Sequence, residues 1–210
     1  MGTRSSKADR IVREIIVCLF FVIGIVGLVY SIKCVEAQHI YVKTKYGVSC
    51  PGFVTGPEKV GQNLFDSHDL ANSKYPHNYY LHSYVAKELV SYTKESIANK
   101  TITFEEFTIL ARKALFYARL AVQTNPYDDE SRLVYQDALV LNGKIDEAVA
   151  YWESIVDLEY WNKRHHNIMA ELYLMSSSPD SYSLAVNELP HITDKKLRDK
   201  LLIYKKMLDK

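Results

Sequence analysis

The chain has 210 residues, a formal net charge of +1, and 24% charged and 12% aromatic residues. These values are typical of a folded protein, and they exclude an intrinsically disordered chain and the strongly basic surface of a nucleic-acid-binding protein. Outside one long apolar stretch near the N-terminus, about 175 residues remain, which is enough for a domain with its own hydrophobic core.

The apolar stretch, residues 15–32, reads IIVCLFFVIGIVGLVYSI and carries no formal charge. At about 1.5 Å per residue, a helix of this length covers roughly 27 Å, close to the ~30 Å hydrocarbon core of a bilayer. The sequence therefore predicts a transmembrane helix over residues 15–33, preceded by a tail of residues 1–14. A secretory signal cleaved after Ala37 is the alternative, although its apolar region would be unusually long.

Basic residues on both sides of this predicted span indicate its orientation. The tail holds Arg4, Lys7, Arg10 and Arg13. The other side holds Lys33, Lys43 and Lys45 within the same reach. Because short flanks rich in lysine and arginine stay in the cytoplasm, we expect a cytoplasmic N-terminus and an extracytoplasmic main domain. A bacterial periplasm fits this topology best, and the lumen or intermembrane space of an organelle comes second.

Residues 34–78 form the predicted extended connector between the span and the main domain. Apolar or β-branched residues alternate with others from Ile40 to Val48, a period typical of a strand, and residues 50–52 (Cys-Pro-Gly) end the pattern. Two interpretations remain open: an irregular linker, and a strand that pairs with another polypeptide. The rest of the connector lacks periodicity, which predicts a loop. Cys34 and Cys50 could form a disulfide in an oxidising compartment.

From Tyr79 onward the spacing of apolar residues is helical. A first helix is predicted over residues 79–99. Thr103 and Glu106 have capping-box spacing that opens a second helix, whose apolar face begins at Phe104 and which ends at Pro126.

Two further helices follow by the same periodicity. A third is predicted from about Asp129 to Leu141, and residues 142–143 (Asn-Gly) make a turn. A fourth carries Ile145, Ala148, Trp152 and Ile155 on one face. The pattern is therefore one of paired helices joined by short turns.

Within this region the sequence resembles the tetratricopeptide repeat (TPR) family. Residues 114–126 (ALFYARLAVQTNP) look like the second helix and closing proline of one repeat. Residues 139–159 (LVLNGKIDEAVAYWESIVDLE) look like the turn and second helix of the next. Ala114 and Ala148 are 34 residues apart, which is the period of the family, and Trp152 occupies an aromatic position of its pattern.

Several positions depart from the family pattern. Gln136 and Ile155 stand where small residues are preferred, and Tyr160 stands where the closing proline is preferred. A third unit matches at Ala170 and Tyr173 and then degenerates.

The resemblance implies an all-α protein with a single N-terminal transmembrane helix plus a TPR-like α-solenoid of stacked helix pairs over residues 79–210. In this arrangement, alanines at the crossing points let helix axes approach within about 8–10 Å. We expect Ala148 to lie at such a crossing. Residues 194–209 are predicted to form a capping helix with a basic, solvated face.

No motif of an enzyme or of a metal site is found in the sequence. Residues 56–61 contain glycines and a lysine without the spacing of a phosphate loop, and no serine lies in a nucleophile elbow. His165 and His166 point about 100° apart on a helix, so they cannot readily share a metal ion. We assign them, with His77 and His82, to surface or packing roles, and we expect no catalytic residue, cofactor or metal ligand.

The remaining candidates are binding surfaces. By the resemblance, ligands lie in a concave groove lined by the first helix of each pair. In this chain that face comprises Glu130, Leu133, Asp137, Val140, Arg164, Asn167, Glu171 and Leu174. In the span, Gly24, Gly27 and Ser31 have the spacing of small residues at contacts between transmembrane helices.

Together these features predict a non-enzymatic scaffold or accessory subunit of a membrane or cell-envelope complex, which binds integral membrane subunits and the bilayer. One alternative is an ancillary, chaperone-like factor of a protein translocation or secretion machinery. Another is a secreted enzyme released by signal cleavage. Because the connector holds apolar side chains such as Phe53 and Phe65, we expect residues 38–78 to be ordered by contact with other polypeptides.

Overall fold

The computed structural model describes residues 7–46, 66, 68–156, 159 and 161–208. Within these residues every regular element is a helix, so the predicted all-helical class is confirmed for the described part of the chain. The chain divides into two compact units, residues 1–85 and residues 86–210.

The first unit begins with α1, Lys7–Tyr46, which contains the predicted span. Its segment Ile11–Ile40 is long and apolar enough to cross a membrane, and its side chains are almost all exposed. Both interpretations of the alternating pattern, the irregular linker and the strand, are wrong for residues 40–46, because α1 continues through them. Once a helix has formed, each added residue gains a hydrogen bond without a new nucleation step, which outweighs the small helix penalty of β-branched residues.

A second helix in this unit, α2, covers residues 68–74, so the predicted loop is wrong there. Lys74 Nζ lies 3.2 Å from Glu36 Oε2 of α1. The ring of Tyr75 meets the ring of Tyr30 edge-on, with centroids 5.5 Å apart. The connector is therefore partly helical and packs beside α1. Phe53, Phe65 and Cys50 lie outside the described residues.

The second half of the chain is helical, as predicted, with seven α-helices among its described residues. They are α3 (Tyr79–Ala98), α4 (Phe104–Thr124), α5 (Asp129–Leu141), α6 (Ile145–Val156), α7 (Lys163–Met175), α8 (Ser181–Asn187) and α9 (Lys195–Leu208). A short 3-10 helix, Leu189–His191, separates α8 from α9, with Pro190 in its first turn. The last pair is short because proline lacks the amide hydrogen needed to continue a helix.

Local hydrogen bonds explain where these helices begin. At α4 the predicted capping box is formed, since the Glu106 amide donates to Thr103 Oγ1 at 3.2 Å and the Thr103 amide donates to Glu106 Oε2 at 2.7 Å. At α5 the Ser131 amide donates to Asp128 Oδ2 at 2.8 Å. Between α5 and α6, Gly143 adopts a left-handed φ of 71°, which favours glycine.

The core of the second unit is built largely from alanine. Ala114 and Ala118 of α4, Ala138 of α5, Ala148 of α6 and Ala170 of α7 are fully buried. Each of these helices contacts the next one along the chain, from α4 through α9. Small side chains allow this close approach, and larger residues such as Trp152 and Leu139, also fully buried, fill the remaining space.

Two predicted apolar faces are shorter in the structure than in the sequence pattern. Phe104 is 83% exposed, so the buried face of α4 does not begin there but at Ala111. On α9, Leu197 and Leu201 are buried whereas Leu208 is exposed.

Candidate partner-binding groove

A groove with a volume of about 470 Å³ lies in the second unit, and α3, α5 and α7 line it. These are alternate helices, the first of each successive pair. Four of the predicted partner-binding residues line the groove: Glu130, Leu133, Asp137 and Arg164. The other four do not line it but lie on the same two helices: Val140, Asn167, Glu171 and Leu174.

Two ion pairs join α3 to α5 along this groove. Lys87 Nζ lies 2.6 Å from Glu130 Oε1, and Lys94 Nζ lies 2.9 Å from Asp137 Oδ2. In each pair the partners are 43 residues apart, and both pairs are about half exposed. Exposed pairs contribute about 0.2–1 kcal/mol each, so these two add little to the stability of the fold.

Sequence reasoning missed the contribution of α3, whose Lys87, Val90 and Ser91 line the groove. The spacing of the charges is a signal that α3 contributes. Lys87 and Lys94 are seven residues apart, which is two helical turns, and so are Glu130 and Asp137. Two lysines of α3 can therefore face two carboxylates of α5.

Asn167 makes contacts within the domain. Its Nδ2 donates to Thr193 Oγ1 at 2.9 Å, and its Oδ1 accepts from the Thr193 amide at 3.0 Å. These reciprocal bonds hold the segment that leads into α9 against α7. The side-chain amide of Asn167 therefore already has hydrogen-bond partners within the domain.

Arg164 and Glu171 keep charges without an ion pair to any other described residue. Glu171 is near Asp194, Lys200 and Asp137, and its pKa is raised by burial first, then by the carboxylates of Asp194 and Asp137, against the effect of Lys200. A carboxylate whose charged form is disfavoured by two neighbouring carboxylates is a favourable position for an incoming cation.

A buried polar cluster lies at the N-terminal ends of α5 and α7. Arg132 Nη1 donates to Glu159 Oε1 at 2.6 Å, which lowers the pKa of Glu159, and Arg132 Nε donates to the Pro126 carbonyl at 2.7 Å. His165, 1% exposed, places Nε2 3.3 Å from Asp129 Oδ1 and Nδ1 3.5 Å from Glu159 Oε2.

Ligand atoms of Asp129, Glu159 and His165 all lie within 4.8 Å of one another, a spacing that fits a metal ion. However, the guanidinium of Arg132 already supplies a positive charge to both carboxylates. The two nitrogens of one imidazole also point away from each other, and each faces a different carboxylate. The cluster therefore joins α5, α7 and the turn between α6 and α7, in keeping with the packing role assigned to His165.

A buried pair of histidines lies in the first unit. His68 Nε2 and His82 Nδ1 are 2.8 Å apart, so one of them donates to the other. His82 Nε2 donates to the Pro76 carbonyl at 3.2 Å, and His68 Nδ1 lies 3.2 Å from Asp69 Oδ1. Burial lowers the pKa of both rings, that of His82 to about 4.

The predicted transmembrane contact residues differ in their surroundings. A methyl group added at Gly24 or Gly27 would meet no atom within 4 Å among the described residues, apart from its own stretch of helix. The Ser31 hydroxyl donates to the Gly27 carbonyl at 2.8 Å. The two glycines therefore leave space on the surface of α1, and the Ser31 hydroxyl is already hydrogen-bonded within α1.

No family model matches the chain, and no curated protein matches it either. The groove and α1 are therefore the features from which a function can be inferred.

Proposed function

We propose that this chain is a single-span membrane protein whose helical domain acts as a scaffold or accessory subunit of a membrane or cell-envelope complex. The observation that carries the proposal is the groove lined by α3, α5 and α7. It presents apolar and charged side chains together, a composition that suits a protein segment better than a small apolar ligand. The apolar α1 would hold the domain near other membrane subunits.

The arrangement of the helices supports a TPR-like interpretation of the domain. The family pattern requires small residues where helices cross, and Ala114, Ala148 and Ala170 are fully buried. It also assigns ligand binding to the first helix of each pair, and those helices line the groove here. TPR-like domains are extended interaction surfaces, which agrees with a scaffold.

The basic tail before residue 15 supports a cytoplasmic N-terminus, with the domain on the other side of the membrane in a bacterial periplasm. Alkaline phosphatase fused after Lys210 should then be active in bacterial cells, because the enzyme functions only after export. An inactive fusion, combined with an active cytoplasmic reporter at the same site, would contradict this topology.

Partner binding can be tested by photo-crosslinking in native membranes. A benzoylphenylalanine at the position of Leu133, in the groove, should form a discrete adduct with an integral membrane protein that mass spectrometry identifies. The same amino acid at Phe116, exposed on α4, is the matched control and should form no such adduct. Equal crosslinking from both positions, or none from Leu133, would contradict a role of the groove.

A further inference from the structure

We propose that the groove, together with the adjoining surface of α7 at Glu171, recognises an extended partner segment in which an acidic and a basic side chain are three residues apart, with small or apolar residues between them. This inference rests on the proposed function and specifies the partner's chemistry. The acidic side chain would pair with Arg164 and the basic one with Glu171.

Some charged residues of the groove helices are paired within the domain and others are not. Glu130 and Asp137 of α5 are paired with the lysines of α3. Asn167 of α7 is bonded to Thr193. Among the described residues, Arg164 and Glu171 are the charged members of the predicted surface that have no ion pair. Charges left without an intramolecular partner are the ones that a ligand can complement.

The distance between the two unpaired charges suggests the form of the partner segment. Arg164 and Glu171 are seven residues apart on α7, which is two turns, so they lie on one face and about 10.5 Å apart along the helix axis. In a polyproline II segment, residues three apart share one face and are separated by about 9.3 Å. The spacing of the two unpaired charges therefore matches residues i and i+3 of such a segment.

An apolar side chain lies between the two charges along the groove. Leu133, at an intermediate height on α5 between Glu130 and Asp137, offers the apolar contact for the residues between the two charges.

The charges also determine which kind of occupant fits the surface. An anionic lipid headgroup or free phosphate would be attracted by Arg164 but repelled by Asp137, Glu171 and Asp194. A purely basic segment would leave Arg164 unpaired. A segment with an acidic and a basic side chain can pair with both Arg164 and Glu171. The occupant that fits is therefore a protein segment of mixed charge.

The inference is testable with fluorescein-labelled, end-blocked peptides that bind the full-length protein in detergent micelles. The probe contains Glu-Pro-Val-Lys, and its relatives replace Glu or Lys by Gln or insert Ala between Pro and Val. Fluorescence anisotropy would give dissociation constants for the wild type, Arg164→Gln and Glu171→Gln. Glu105→Gln and Arg112→Gln are matched controls, because these exposed residues are also seven apart on one helix.

Double-mutant cycles identify which charges interact, whichever direction the peptide runs. We expect a coupling of about 5-fold between Arg164 and the peptide Glu, and a similar coupling between Glu171 and the peptide Lys. The cross-couplings and both control variants should give factors near 1. The inserted residue should weaken binding to the level of the singly neutral peptides.

Couplings near 1 for both pairs, or no binding of the probe at millimolar concentration, would overturn the inference. The proposed function would be unaffected by that result if Leu133 still crosslinks to a membrane subunit. A crosslink from Leu133 to a second copy of this chain would overturn the inference as well, because the occupant would then be the chain itself.

Discussion

Acidification should destabilise the first unit through the buried pair of His68 and His82. His82 Nε2 donates to the Pro76 carbonyl, so Nδ1 of the neutral ring accepts a proton from His68 Nε2, 2.8 Å away, and protonating Nδ1 would place a second proton between the same two nitrogens. The groups that face His82 are His68, His77 and the Pro76 carbonyl, and of these only the carbonyl favours the charged ring. Burial is the largest cause of the lowered pKa.

The sign and size follow from proton linkage. The pKa of His82 falls from 6.5 in the unfolded chain to about 4 in the folded protein, so the unfolded chain binds more protons below pH 6.5. Its contribution to stability is therefore fully present above pH 6.5 and is lost as pH falls toward 4. Between pH 7 and pH 4.5, the expected loss from this residue alone is about 2.5 kcal/mol.

Urea unfolding of the full-length protein in micelles, at pH 7 and pH 4.5, would measure this loss. In His82→Gln, the side-chain amide can still donate to the Pro76 carbonyl but cannot titrate. Its free energy of unfolding should therefore decrease by about 2.5 kcal/mol less than that of the wild type over the same range. His39→Gln is the control, because His39 is exposed and is not among the groups that face His82. Equal decreases in the wild type and in His82→Gln would refute the reasoning.

Three further predictions concern the second unit. Ala148 is fully buried, so Ala148→Leu should overpack its site and reduce stability by about 1–3 kcal/mol, whereas Ala150→Leu, at an exposed neighbour, should leave the melting temperature unchanged. Thr103→Ala removes the capping box of α4 and should reduce the free energy of urea unfolding by about 1 kcal/mol, and no change would show that the cap is unimportant. A double-mutant cycle between Lys94 and Asp137 should give a coupling below about 1 kcal/mol that decreases at high salt, and a salt-independent coupling would contradict an exposed pair.

The helices could be predicted from the sequence where the signals are local. The capping box at Thr103, the bounds Asp129–Leu141 and the turn at Gly143 each depend on residues within one or two turns of one another, and all three are confirmed. The prediction failed for residues 40–46, where an alternating pattern typical of a strand is the continuation of a long helix. There the hydrogen bond gained by each residue added to α1 outweighs the preference of these few residues for an extended conformation.

The groove was only partly predictable for a different reason. Periodicity showed which residues of α5 and of α7 lie on the same face of their helix. It could not show which charged residues on that face pair with residues 43 positions away in the sequence. Nor could it show that Asn167 bonds to Thr193 in the turn before α9. Such pairings depend on the packing of one helix against another, which a pattern within a single helix does not contain.

Glu171 provides a test of whether the groove is adapted to binding at the expense of stability. Its carboxylate lies near Asp137 and Asp194 and its pKa is raised, so its charged form is less favourable in the folded protein than in the unfolded chain. Glu171→Gln removes that charge and should raise the melting temperature at pH 7, while it weakens binding of a segment with a basic side chain. Glu105→Gln, at an exposed position, should change neither quantity. A fall in melting temperature for Glu171→Gln would mean that Lys200 already compensates the charge and that no cation is needed from a partner.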